Sequence, residues 1–169
     1  PHFLFNTLAS VSSLIRSQPE TARMVVQKLS GLLRKLMRTD EQFVTLREEL
    51  EAIDEYLAIE VVRFGPRLSV RKTVSSETLD VIVPSLLLQP LVENAIYHGI
   101  KNKRAGGRVQ VSGRRLEGER LEFRVADDGC GFSPERLAQV RAALAAEGAE
   151  ADRDSGFGLR NVNRRIQLY

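Results

Sequence analysis

Three short stretches of this 169-residue chain set glycines beside an amide, a carboxylate or the start of a helix: ENAIYHG (93–99), DDGCG (127–131) and GFGLRN (156–161). Each alone reads as a turn, but order and context say more. ENA lies within an apolar helical pattern, DDGCG follows an alternating strand pattern, and GFGLRN follows a polar loop and opens a helix. An Asp at a strand's end can accept a hydrogen bond from an exocyclic amine, and glycines beside it let a flat base approach the backbone. Glycines ahead of a helix let amide N–H groups face phosphate oxygens, which the helix dipole also favours. An Asn amide oxygen is a hard, neutral ligand suited to a Mg²⁺ that keeps waters and bridges phosphates. Far upstream, PHFLFN sets an imidazole, His2, among apolar neighbours.

The elements that must position these groups follow from periodicity. Residues 2–17 read as a helix whose buried stripe is Leu4, Leu8, Val11 and Ile15, widened by Phe3, Thr7 and Leu14. His2, Asn6, Ala9, Ser13 and Arg16 fall on the opposite, polar face. A second helix over 20–38 buries Met24, Val25, Leu29, Leu32, Leu33 and Leu36. The resulting hairpin is too thin to bury both stripes, and a second copy forming a four-helix bundle would complete it. Thr45 and Glu48 make a capping box for a third helix, 46–63, with Leu46, Leu50, Ile53, Leu57 and Val61 buried. Gly65 and Pro66 stop that helix, and the texture changes after them, which places a domain boundary near residue 65.

Beyond the boundary, LSVRKTV alternates like a strand, and VPSLLLQPLVENAIYHGI reads as an apolar helix entered near Pro84 and closed by Gly99, with a start or bend at Pro90 as the alternative. GRVQVSGRRL and ERLEFRVAD form a hairpin around Glu117-Gly118. Ser133-Pro134 caps a further helix, and a last one begins near Leu159.

Composition narrows the class. With 6% aromatics, no Trp and basic residues interspersed with acidic ones, the chain lacks the stacking groups and basic face of a nucleic-acid binder, despite a net charge of +3. Cys130 is the single cysteine, which excludes an intrachain disulfide and fits a reducing compartment. No apolar run approaches the length of a membrane span. The chain begins at Pro1 rather than Met and reads as a fragment, the cytoplasmic part of a protein with a possible membrane segment upstream.

Together, PHFLFN, QPLVENAIYHG, DDGCG and GFGLRNV resemble the LytS/YehU-type sensor histidine kinases of the GHKL superfamily, and TLREELEAIDEYLAIEVVRFG is similar to that family's linking helix. The resemblance covers almost the whole chain. It implies an α+β fold: a helical dimerisation and phosphoacceptor hairpin with its linking helix (1–65), then a Bergerat-type α/β sandwich for ATP (66–169). It also implies a homodimer and a response-regulator partner. His2 matches the phosphoacceptor, and Asn94 the amide that chelates Mg²⁺. Asp127 matches the carboxylate that reads the adenine amine, and Gly129 and Gly131 the glycines under the base. Gly156, Gly158 and Leu159 match the lid end near the phosphates, Asn161 the helix residue after them, and 132–155 the ATP lid.

Departures from the pattern matter equally. Phe3 follows the phosphoacceptor where many histidine kinases place an acid, so the base is unassigned. Asn6 shares the face of His2 at i+4, where related chains position water for dephosphorylating the regulator. Tyr97 stands where related chains often have Lys, leaving Lys101, Arg160 or Arg164 to supply positive charge. In resembling hydrolases a Glu one turn before the Asn activates water; here that position is Pro90, and Glu93 points about 100° away. A GHKL ATPase and a silent nucleotide-binding or dimerisation module are the rival readings. The resembling sheets gain two more strands after the last helix; a sheet ending at Tyr169 would have three strands with an exposed edge and apolar face, so the 66–169 domain is expected to be truncated, missing its last strands.

Overall fold

The computed structural model describes residues 2–37, 42–101, 103–118, 120–145 and 157–167. Helices α1 (His2–Ser17) and α2 (Pro19–Met37) form the hairpin, and strand β1 (Phe43–Thr45) leads into α3 (Leu46–Phe64). The capping box at the head of α3 is complete: Thr45 Oγ1 accepts the Glu48 N–H (3.3 Å), and Glu48 Oε2 accepts the Thr45 N–H (2.8 Å). Gly65, at φ 57°, ends it and donates to Val61 O.

Strands β2 (Leu68–Val74), β4 (Gly107–Arg115) and β5 (Leu121–Asp127) form one sheet in the order β2-β4-β5, with β2 parallel to β4 and β4 antiparallel to β5. Between β2 and β4 the chain makes β3 (Ile82–Pro84), which pairs with β1, and then α4 (Gln89–Asn94). Helix α4 starts with Pro90 in its first turn, where a missing N–H costs nothing. It then widens into a π-helical stretch over Ala95–Ile100, seen in the Lys101 N–H to Ile96 O bond of 2.9 Å. Helices α5 (Pro134–Ala145) and α6 (Phe157–Gln167) complete the described chain. Ser133 caps α5 as its sequence predicts, through Arg136 N–H to Ser133 Oγ at 3.2 Å.

The main core joins α3, β3, α4 and β4, with Leu32 of α2 and Val162 of α6 at its margins. A smaller cluster, Val25, Leu29 and Ile59, sits where α1, α2 and α3 meet. α3 therefore covers one side of the hairpin. It also turns α1 away from its predicted orientation: Thr7 is fully buried, its hydroxyl donating to Phe3 O, whereas Leu8 and Ile15 are 48% and 57% exposed. Phe3 packs its ring on Tyr56 of α3 at 4.8 Å, and that contact selects which apolar face of α1 is buried. Val61 of α3 likewise turns outward, with Tyr56 and Ile59 inside. Phe5, Leu8 and Ile15 of α1, with Val26 and Met37 of α2, leave apolar surface uncovered on the hairpin. A groove of ≈ 720 Å³ near the β4–β5 turn is lined by Leu116, Leu121 and Phe123 with Val162 and Ile166.

Glu60 of α3 is completely buried, and neither of its oxygens accepts a well-aligned hydrogen bond, although Arg63 Nη2 stands 2.7 Å away. Burial pushes its carboxyl up to about 7, against the opposing pull of Arg63 and with some help from Glu93. A raised carboxyl favours the protonated folded state. Its contribution is full below the unfolded value near 4.5 and is lost as pH rises through about 7. On the order of 3 kcal/mol is at stake across that window. Glu60→Gln should flatten the fall in thermal stability between pH 4.5 and 7 and raise Tm at pH 8, as read by calorimetric melting; a parallel pH dependence in the variant would refute this assignment.

Candidate functional site

One face of α4 supplies a wall: Leu91, Asn94, Ala95 and His98, at helical spacing, line a cavity of ≈ 420 Å³. The end of β5 supplies the opposite wall through Val125 and Asp127, the following turn adds Gly131 and Phe132, and Arg136, Val140 and Leu159 come from the helices around the lid. Asn94, Asp127, Gly131 and Leu159, singled out from three separate motifs, thus meet at one cavity.

The walls are locked together by glycine. A Cβ on Gly99 would stand 2.9 Å from Asp127 Cγ, and one on Gly129 would strike the Gly99 backbone itself. The Cys130 N–H donates to Gly99 O at 3.2 Å across the same seam. Helix α4 can lie against the β5 turn only because neither position carries a side chain. Gly131, at φ 68°, supplies the left-handed turn that brings Phe132 to the cavity.

The two aspartates of DDGCG have different surroundings. Asp128 Oδ1 accepts the Arg108 N–H (2.7 Å) and the Lys103 ammonium (3.3 Å), and these bonds hold its carboxyl below the usual carboxylate range. It fastens the turn to β4. Asp127 Oδ1 accepts the Gly129 N–H (2.9 Å), which orients the carboxylate at the cavity. A carboxylate so held is an acceptor for an amine on a flat ring, which Val125, Ala95 and Leu91 could sandwich with apolar surface.

Asn94 is the cavity's oxygen donor on α4. Among the described residues no group of three His, Cys, Asp or Glu side chains could hold a metal. An ion here would take Asn94 and complete its shell with ligand oxygens and water, a donor set that fits Mg²⁺. Glu93 faces elsewhere: Gln89 Nε2 donates to its Oε1 at 2.9 Å, and it is not part of the cavity lining.

His2 begins α1, where its side chain lies outside the described residues; Asn6, on the same helix, is not among the described residues that line the cavity. Gly156 lies outside the described residues, as does most of the second half of the expected lid. Gly158 falls in the first turn of α6, which starts two residues earlier than its periodicity suggests, and Asn161 follows on the same helix, its side chain not described. Of the three candidate cations, Lys101 sits over the Tyr97 ring at 4.3 Å, Arg164 is exposed and away from the lining, and the Arg160 side chain is not described. Arg136 is the cation that lines the cavity among the described residues, and the sequence reading missed it. Gly99 and His98 were also legible: both lie in the quoted ENAIYHG stretch at the spacing of Asn94 and Ala95.

Residues 80–169 match the family model of the histidine kinase-, DNA gyrase B- and HSP90-like ATPases, and residues 1–68 match that of the histidine kinases. The chain belongs to the histidine kinase-, DNA gyrase B- and HSP90-like ATPase family. It is 40% identical over 99% of its length to the sensor histidine kinase YpdA of Escherichia coli, and 36% identical over 99% to the sensor histidine kinase BtsS of the same species. It spans only 28% and 27% of those two proteins. A blue-light activated histidine kinase of Erythrobacter litoralis superposes with a TM-score of 0.48 at 21% identity, over 99% of this chain and 53% of that one.

Gly129→Ala should destabilise the protein by about 1–3 kcal/mol, since its new methyl meets backbone that cannot move aside. Gly131→Ala, with open space but a left-handed φ, should cost about 1 kcal/mol. Chemical denaturation of both variants checks the order; equal or reversed costs would contradict the interlocked seam.

Proposed function

We propose that this chain is the kinase core of a two-component sensor, which phosphorylates His2 from ATP and passes the phosphoryl group to an aspartate of a response regulator. The observation that carries the reading is the meeting of Asn94 and Asp127 at one cavity with Gly131 and Leu159. We divide the chain into a hairpin and linking helix, 1–65, and an ATP-binding domain, 66–169.

Asp127 accepts the adenine amine and thereby selects adenine. Gly129 and Gly131 admit the ring to the backbone. Gly156, Gly158, Leu159 and Asn161 border the phosphates, and Arg136 adds positive charge to the wall. Asn94 would hold Mg²⁺, which when bound neutralises phosphate charge. At neutral pH a ring nitrogen of His2 carries a lone pair, since imidazole titrates near ~6.5. That nitrogen attacks the γ-phosphorus. The N–P bond forms, the bond to the β,γ-bridging oxygen breaks, and ADP departs with the electron pair. The proton on the other ring nitrogen leaves to solvent or a base. Asn6, one turn along the polar face, orients water for dephosphorylating the regulator.

Hydrolysis as the end reaction is disfavoured. Pro90 occupies the position from which a base would act, and Glu93 is tied to Gln89 outside the cavity. The uncovered apolar residues on the hairpin, Phe5, Leu8, Ile15, Val26 and Met37, support a homodimer formed through α1 and α2. No helix among the described residues is long and apolar enough to cross a membrane. We assign these segments to a cytoplasmic part of the sensor because ATP and the response regulator are found there.

Full-length protein incubated with γ-labelled ATP and Mg²⁺ should acquire an acid-labile, alkali-stable label that His2→Gln abolishes. Asp127→Asn should weaken ATP binding about 10- to 100-fold, the worth of a hydrogen bond to a charged group. Asn6→Ala should slow regulator dephosphorylation without reducing the label. Phosphate release with no phosphoprotein would instead support the hydrolase, and a label surviving His2→Gln would move the acceptor elsewhere.

A further inference from the structure

Helix α3 is shared by both halves of the molecule. One side packs on the hairpin: Lys35 Nζ stands 3.6 Å from Glu51 and 3.4 Å from Glu55. The other side carries Glu49, a residue only 4% exposed. Its partners are backbone amides. Oε1 accepts the N–H groups of Leu88 (2.8 Å) and Gln89 (3.3 Å), and Oε2 accepts that of Leu86 (3.0 Å). The Leu88 and Gln89 N–H groups belong to the set that a helix start leaves without intrahelical acceptors, and here α4 begins.

The turn so held is unusual in itself. Leu86, at φ 57°, is the one non-glycine residue with positive φ among the described residues, a conformation that persists only where surroundings enforce it. The turn is gripped from two further directions. Arg165 of α6 donates to Ser85 O, and the Ser85 N–H donates to Gln42 O (3.0 Å), just ahead of β1. The linking helix, the helix that bears Asn94 and the helix after the lid therefore converge on residues 85–89.

We propose that Glu49 is a positioning residue for the nucleotide site: by gripping the 86–89 backbone from the linking helix, it fixes where α4 presents Asn94, so that a displacement of α3 against α4 changes affinity for magnesium-bound nucleotide more than affinity for adenine. This rests on the reading of Asn94 and Asp127 given above. The carboxylate is suited to the task because both oxygens accept. A glutamine would turn an NH₂ donor toward one set of N–H donors, while an aspartate keeps two acceptors on a shorter stem. Burial raises the Glu49 carboxyl above its ordinary value, while the backbone N–H groups of Leu88, Gln89, Leu86 and Leu87 pull the other way.

The test compares full-length wild type with Glu49→Gln and Glu49→Asp by calorimetric titration with a non-hydrolysable ATP analogue, with Mg²⁺ and with EDTA. Melting temperatures and amide hydrogen exchange are recorded alongside. Glu49→Gln should weaken binding at least tenfold in Mg²⁺ and less than threefold in EDTA, with Glu49→Asp between it and wild type. In the same folded variant, exchange at residues 86–94 should quicken at least tenfold, while β4 and β5 stay as in wild type. Equal losses in Mg²⁺ and EDTA, or a lowered Tm with binding intact, would reduce Glu49 to a structural residue and overturn the proposal. If wild type binds no nucleotide in either condition, the cavity assignment fails instead. The grip is then decided by exchange alone: unchanged protection over 86–94 in Glu49→Gln removes it.

Discussion

The candidate nucleotide cavity depends on one steric constraint: the end of α4 and the turn after β5 touch through bare backbone. Gly99 and Gly129 are the contact, and the Cys130 N–H to Gly99 O bond closes it. That seam brings Asn94, on a helix, to the same cavity as Asp127, at the end of a strand. Backbone pressed on backbone does not yield as side chains do, so the separation of amide and carboxylate is set by the fold rather than by rotamers. The widening of α4 over Ala95–Ile100 belongs to the same arrangement, since it lets His98 and Gly99 reach the seam while Asn94 keeps its place on the wall.

Around this seam, each acidic group has one surrounding and one consequence. Asp128 is spent on Arg108 and Lys103 and fixes the turn; Asp127, oriented by Gly129, faces the cavity. Glu93, next to Asn94 in sequence, points away and is held by Gln89. Glu49 grips the amides at the head of α4, and Glu60 lies buried about three turns further along the same face of α3. Among the described carboxylates, Asp127 is the one that lines the cavity. On the proposed reading, such a site binds and orients a nucleotide for transfer and has no group placed to activate water.

Much of this was legible before the fold was seen. The glycine motifs carry their chemistry locally, because turn, strand end and helix start each demand particular residues; Thr45–Glu48 and Ser133-Pro134 likewise specify caps that the structure contains. The helix expected from Pro84 to Gly99 instead begins at Gln89, with Pro90 in its first turn, because residues 82–84 pair as β3, and it runs on to Ile100. What the sequence concealed is tertiary. Strands β1 and β3 are too short to show a period, and which apolar face of α1 is buried depends on Phe3 meeting Tyr56. Arg136 and Glu49 read as ordinary charges on helices until packing sets one at the cavity and the other beneath a turn. Long-range partners of this kind leave no local signature.

The central claim is that Asp127 reads an exocyclic amine while Asn94 serves the metal under the phosphates. Its most direct test is a calorimetric titration of the intact protein with non-hydrolysable ATP and GTP analogues in Mg²⁺. Adenine presents an amine donor to the carboxylate, where guanine presents an oxygen that repels it. One-to-one uptake of the adenine analogue, at least a hundredfold tighter than the guanine analogue, is the predicted result. No uptake of either, or equal uptake of both, would contradict it.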